Sequence, residues 1–323
     1  MVKNIGFGYE EIIDVNGLND VIFSADFLVT TIRVMSPVLY AALACMVFSK
    51  GGIDAIATEG IMLFSALGAA LGSYFAQSAF WGVMMAILLG ISLSWLFGYI
   101  TITLQSEPIL AGIAINTLAA GFTIFIVYII TGNKGSTQEL NSPVAPDWEI
   151  PFIGAVLSGH NILTYLALAI VPVLAVFLYR TPVGLRIRTV GEISEAARSV
   201  GMNVWKYQYI TLTLAGTLAG LGGAFMSLGY VSFFSRDMIA GRGFIGMAAE
   251  SMGRGNPVGI LISTLFFGMA DSLAIRLQLL DVPPQLIQLL PYLITIIAIA
   301  LYSRARMQNR RRSQLNFWKR VLQ

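Results

Sequence analysis

The sequence predicts an all-α fold, a polytopic transmembrane helical bundle, and two observations suffice to predict it. Of 323 residues only 11% are charged and 56% are hydrophobic, with a mean hydropathy of +0.76, whereas a soluble domain carries about 25% charged residues. The charges are also clustered, which leaves uncharged stretches of 47 residues at 60–106, 26 at 108–133, 30 at 150–179 and 29 at 207–235. Each exceeds the roughly 20 apolar residues that cross a bilayer as a helix.

Apolar runs set against loop signals give about nine crossings, at 31–48, 53–75, 80–99, 108–130, 162–179, 208–229, 239–252, 258–277 and 286–302. The first long uncharged stretch holds two of them, with a turn near 76–79. The second and seventh contain glycines and an ionisable residue, and are expected to be short, tilted or re-entrant helices whose irregular backbone is surrounded by protein. Three segments follow: 1–30 as an extracytoplasmic N-terminal segment, 31–302 as the transmembrane domain, and 303–323 as a basic cytoplasmic tail.

Orientation comes from the basic residues, which stay preferentially on the cytoplasmic side. With the C-terminus inside, 14 of the 20 Lys and Arg residues fall on the inner side, among them Lys50, Arg180, Arg186, Arg188, Arg198, Lys206 and Arg254. The remaining 6 include Arg33, Arg236, Arg242 and Arg276. The net charge of +3 is therefore an orientation signal rather than a sign of nucleic-acid binding. The tail from Arg304 suits an anionic membrane surface. Ten crossings, with the N-terminus inside, is the alternative.

Several functional classes fall away. One cysteine, Cys45, and one histidine, His160, do not supply a disulfide framework or a thiolate or imidazole metal site, so no cofactor or metal is expected. No G-x-x-x-x-G-K-[ST] pattern is present, so ATP is not hydrolysed through a P-loop of this chain. A membrane enzyme would need a catalytic set at one depth, and this sequence offers none. The acidic first 26 residues lack the apolar core of a cleavable signal peptide.

The segment 180–206 is the largest basic loop. Ser194 is a fair N-cap, the following residues tolerate a helix, and Gly201 is a natural stop. A helix this small is not stable through its own propensity and needs something to pack on, either its own protein or a partner.

Here the sequence comes to resemble a family. Glu195-Ala196-Ala197 with Gly201 resembles the EAA loop of ABC importer permeases, the coupling helix that docks on an ATPase subunit. Ala57-Thr58-Glu59-Gly60-Ile61-Met62-Leu63 is similar to an element of the branch that contains ribose, branched-chain amino acid and nucleoside permeases. Gly112-Ile113-Ala114-Ile115-Asn116, Ala219-Gly220-Leu221-Gly222-Gly223-Ala224, Ala240-Gly241-Arg242-Gly243-Phe244-Ile245 and Ile275-Arg276-Leu277-Gln278 resemble its nucleoside subgroup. The resemblance covers about 30–302. Two places depart from it: Asp54-Ala55-Ile56-Ala57 stands where the family has an Asn-Ile-Gly run, and Glu250 stands where the subgroup is usually apolar.

The resemblance implies a permease subunit of an ATP-binding cassette importer, multi-pass in the bacterial cell membrane, that takes up nucleosides by alternating access. Its partners would be separate ATPase subunits, a second paralogous permease, an extracytoplasmic substrate-binding lipoprotein and membrane lipids, with no nucleic acid. It implies ATPase coupling through Glu195, Ala196, Ala197 and Gly201, and a central pathway near Glu59.

Glu59, Asn116 and Phe244 are the expected path-lining residues: a carboxylate or amide can hydrogen-bond a ribose hydroxyl, and an aromatic face can stack on a base. A second reading of Glu59 is a carboxylate that caps the amides of a broken helix, and of Asn116 a helix-packing amide. Asp271 with Arg276 is expected to stabilise the bundle, and Glu250 with Arg254 to form an i, i+4 pair. The alternative functions are a permease for another small polar solute (a sugar, riboflavin or a branched-chain amino acid) and an ion-coupled secondary transporter, which shares intramembrane carboxylates near broken helices.

Overall fold

The computed structural model describes residues 25–133, 135–137, 146–148 and 158–277. The chain enters through α1 (Ala25–Lys50), α2 (Thr58–Ala76) and α3 (Ala79–Gly98), which continues as a π-helical turn at Tyr99–Thr103. Next come α4 (Pro108–Thr131), α5 (Ile162–Arg180), and the two short helices α6 (Pro182–Glu192) and α7 (Ser194–Ser199). Then α8 (Val204–Ala224) runs on as a π-helical stretch at Phe225–Tyr230, and α9 (Arg242–Met252) and α10 (Pro257–Leu277) follow.

Seven of these helices, counting α3 and α8 with their π extensions, are long and apolar enough to cross a membrane. The seventh expected crossing is the exception. Its helix, α9, has 11 residues and rises about 16 Å, too little for a span. The ninth, at 286–302, lies outside the described residues, as do the N-terminal segment up to 24 and the basic tail. The second crossing starts five residues later than expected, because 53–57 pass Gly51-Gly52 without helix and only then enter α2.

The bundle has a central and a peripheral layer. In α1, 89% of the apolar window is buried, and in α8 78%, against 22% in α4. Leu39 to Phe48 of α1 are all enclosed. The faces of α3 and α4 that carry Trp81, Leu88, Ile113, Phe125 and Ile129 are exposed, as helices in contact with lipid or another subunit require.

Small residues set the closest contacts. The backbones of α3 and α8 meet where Gly90 faces Gly216 and Gly220, and a Cβ at Gly216 would lie 2.7 Å from the Gly90 carbonyl oxygen. The Ser94 hydroxyl donates to the Leu212 carbonyl at 2.8 Å across the same seam. This is close packing of helices through small residues.

Opposite the basic end, the segments around 136 and 235 form a β-bridge, and the Thr137 amide donates to the Phe234 carbonyl at 2.8 Å. Strands β1 (Asp147–Trp148) and β2 (His160–Asn161) pair antiparallel, Asp147 opposite Asn161 and Trp148 opposite His160. His160 thus sits in a loop ladder.

Candidate functional site

Two helices, α2 and α9, start inside the bundle, and their first turns face each other. The first turn of α9 approaches that of α2 so closely that a Cβ at Gly243 would lie 2.7 Å from Glu59 Cα. Helix starts expose amide N–H groups without intrahelical acceptors and carry partial positive charge. Each start here takes its acceptor from another helix.

For α9 the acceptor is Glu59. The Gly241 amide donates to Glu59 Oε1 at 2.8 Å and the Gly243 amide to Oε2 at 2.7 Å, while the Arg242 amide donates to the Ile239 carbonyl at 3.1 Å. Gly241 occupies the N-cap position at φ +80°, a left-handed conformation suited to glycine, and it has no side chain to cap with. A carboxylate 182 residues away in sequence supplies the cap, through charge-assisted bonds that are stronger than neutral ones.

For α2 the acceptor is Asn116 of α4. The Gly60 amide donates to Asn116 Oδ1 at 2.8 Å, and Asn116 Nδ2 donates to the Ile56 carbonyl at 2.9 Å. The Thr58 hydroxyl turns back on the Ala55 carbonyl at 2.6 Å, and the buried Cys45 thiol lies 3.5 Å from the same hydroxyl. Asn116, α2, Glu59 and α9 thus form one relay of cross-helix capping.

Of the three expected path residues, the structure joins Glu59 and Asn116 through the first turn of α2 and places Phe244 one residue past the Glu59-held Gly243. Phe244 is 47% exposed. Glu59 and Asn116 are half-buried, and their polar atoms are engaged with backbone.

The other intramembrane charges tie helices together. Arg242 acts on the charge of Asp271, and Arg276 stacks 5.7 Å from the Phe27 ring centroid, each a contact from α10 to another helix. Sequence reading missed the clamp on Tyr230: Arg33 and Arg242 stand 5.4 and 5.7 Å from its ring centroid, and Arg33 donates to its carbonyl at 3.0 Å. The Glu250 carboxylate accepts from Ser49 and faces Lys50; α9 ends at Met252, and Arg254 lies beyond it at φ +56°.

The second candidate element is the pair of short helices at the basic end. Helix α6 is amphipathic and buries Ile187 and Val190 with Ala197, Val204 and Tyr207 in a small cluster of their own. Arg186 ties it down by donating to the Tyr207 hydroxyl at 2.7 Å. Ser194 is the first residue of α7 rather than its cap, Ile193 holding the extended cap position. The helix stops as expected: Gly201 sits at φ +80°, and the Met202 amide donates to the Ala197 carbonyl at 3.1 Å.

Within α7, Ala197 is turned inward and buried, while Glu195, Ala196 and Gly201 are exposed. Ile193 and Val200, at its two ends, are 60% and 74% exposed. Sequence reading did not single them out, although two aliphatic residues flanking a polar six-residue helix were the available signal.

A membrane bundle with two helix starts capped from other helices at its centre and a short exposed helix at its basic end fits a permease. A family model described as branched-chain amino acid transport system / permease component matches residues 27–299, and the chain belongs to that family. It is therefore a multi-pass membrane protein that serves as a permease component, not an enzyme, and the ion-coupled secondary carrier is set aside.

Among curated relatives, the guanosine ABC transporter permease protein NupQ of Bacillus subtilis is 33% identical over 83% of this chain and 89% of its own. The nucleoside ABC transporter permease protein NupC of Lactococcus lactis is 30% identical over 83% of this chain and 89% of its own. In fold the chain is similar to a solved structure of PsaBC from Streptococcus pneumoniae in complex with Fab, with a TM-score of 0.51, 14% identity, and coverage of 88% of this chain and 93% of that one.

Proposed function

We propose that this chain is the permease subunit of an ATP-driven importer of nucleosides, in which α7 couples the bundle to a separate ATPase subunit. The coupling half rests on one observation: a six-residue helix, pinned to the bundle through Ala197, holds Ile193 and Val200 in solvent. Exposed aliphatic groups on a firmly seated lever fit docking against another protein, and the positive-inside bias puts that lever on the cytoplasmic side. Nucleosides as cargo rest on the names of the two relatives above. A second permease and an extracytoplasmic binding lipoprotein complete the transporter, with the path running between the two bundles.

Phe244 is the path residue of the three, since its exposed ring is free to stack on a base. Glu59 and Asn116 work behind it by fixing the start of α9, so that movement of α2 relative to α4 carries Phe244 with it. For Ala197 the same division applies: it seats the lever, and Glu195, Ala196 and Gly201 present the docking face.

Gly201→Ala separates docking from folding. A Cβ there meets nothing within 4 Å, so the substitution carries only the left-handed backbone penalty of about 1 kcal/mol. The expected result is a normally folded, membrane-inserted permease whose guanosine uptake falls by more than about tenfold in cells that also hold the ATPase. Uptake and subunit association equal to wild type would remove Gly201 from the interface.

A further inference from the structure

At the basic end, the last turn of α5 and the turn between α9 and α10 enclose a groove of about 370 Å³, lined by Ala175, Val176, Tyr179, Arg180 and Asn256. The Tyr179 hydroxyl donates to the Gly255 carbonyl at 3.2 Å, which fixes the two walls together. Arg188 of α6 lies with its guanidinium carbon 4.8 Å from the Tyr179 ring centroid, and its Nε is buried without a hydrogen-bond partner.

The charged side chains gathered here are cations. Among the described residues no carboxylate lines the groove, and neither Arg180 nor Arg188 has a carboxylate partner. Asn256 uses its Oδ1 to accept from the Val258 amide at 3.1 Å, which leaves its Nδ2 hydrogens to serve an acceptor. The neighbouring Lys50 is matched by Glu250. Away from the polar end, α5 exposes Val173 and Val176, and α10 exposes Val258 and Ile262, aliphatic side chains at helical spacing on two helices that pack against each other. A cationic pocket with Val176 in its wall therefore lies at the end of two helices that carry exposed aliphatic side chains.

We propose that this groove binds one anionic phospholipid of the cytoplasmic leaflet, its phosphate held by Arg180, Arg188 and Asn256 and its acyl chains lying along Val173, Val176, Val258 and Ile262. Guanidinium groups pair well with phosphate, and basic pockets between spans on the inner side suit anionic headgroups. The chain's own tail does not fit the charge, since it brings Arg304, Arg306, Arg310, Arg311, Arg312, Lys319 and Arg320. The lipid would bridge α5, α6 and the α9–α10 turn, beside the mount of the α7 lever.

Native mass spectrometry tests this on the complete transporter, extracted from nanodiscs of phosphatidylglycerol and phosphatidylcholine in equal parts. The expected result is preferential retention of phosphatidylglycerol, reduced about fivefold by Arg180→Gln and again by Arg188→Gln, and restored towards wild type by Arg180→Lys. Val176→Asn should also lower retention. Arg180 is exposed, so its substitution leaves the fold intact. Equal retention of the two lipids, or no response to Arg180→Gln, overturns the proposal. So does displacement of phosphatidylglycerol by inorganic phosphate with indifference to Val176→Asn, which would mark a free-anion site. Phosphatidylglycerol held by the isolated permease but absent from the complete transporter also overturns it, since a protein subunit would then cover the groove.

Discussion

Glu59→Ala is expected to destabilise the permease and to reduce uptake by more than about tenfold, both through the same lost bonds. The substitution leaves the Gly241 and Gly243 amides, which now donate to Glu59 at 2.8 and 2.7 Å, without that acceptor, Gly243 in a buried position and Gly241 in a half-buried one. The orphaned donor at Gly243 costs about 1–3 kcal/mol, and the attraction between a carboxylate and the positive end of α9 is lost as well. Glu59→Gln falls between, since its amide offers one acceptor oxygen where two are needed. Thermal unfolding and guanosine uptake of the assembled transporter read the two effects side by side. Loss of uptake at unchanged stability would contradict the capping role and return Glu59 to direct contact with cargo.

Gly243→Val is expected to have an effect of the same size by the opposite route, adding atoms where Glu59→Ala removes them. Its Cβ would stand 2.7 Å from Glu59 Cα, N and Oε2, and two of these are backbone atoms that have nowhere to go. The first turn of α9 must withdraw, which breaks both Glu59 bonds and adds an overpacking cost of about 1–3 kcal/mol. Because the two substitutions destroy the same bonds, the double variant should lose less stability than the sum of the singles. Full additivity would show that Gly243 and Glu59 act independently.

What the sequence made legible was whatever is local along the chain. The uncharged stretches located the long helices, the turn near 76–79 fell where α2 gives way to α3, and Gly201 ended α7 as its residue type requires. The lost register was that of 53–57, where apolar residues that are not helical look the same in hydropathy as residues that are. The 239–252 run likewise met the apolar criterion, yet 11 residues of it form α9 and the rest is the irregular entry that Glu59 and Arg242 secure.

Partner choice was not legible. Glu59 was recognised as either a path residue or a cap, but the amides it serves lie 182 and 184 residues away, and no periodicity in the sequence joins Gly241 and Gly243 to it. Lys50 facing Glu250 and Arg33 facing Tyr230 are of the same kind. In α7 the limit was length: six residues make less than two turns, too few for an apolar stripe to show that Ala197 points inward and Ala196 outward.

The proposal that α7 is the lever is tested most directly by cross-linking. With Cys45 replaced by alanine, a cysteine is placed at Ala196 on the exposed face of α7, and a short cross-linker that joins this thiol to lysine amines of the ATPase is applied to the assembled, uptake-competent transporter. The expected result is a covalent permease–ATPase adduct that forms at Ala196 and fails to form when the cysteine is placed instead at Phe125, on the exposed face of α4. An assembled transporter that takes up guanosine yet gives no adduct at Ala196 would contradict the coupling role of this helix.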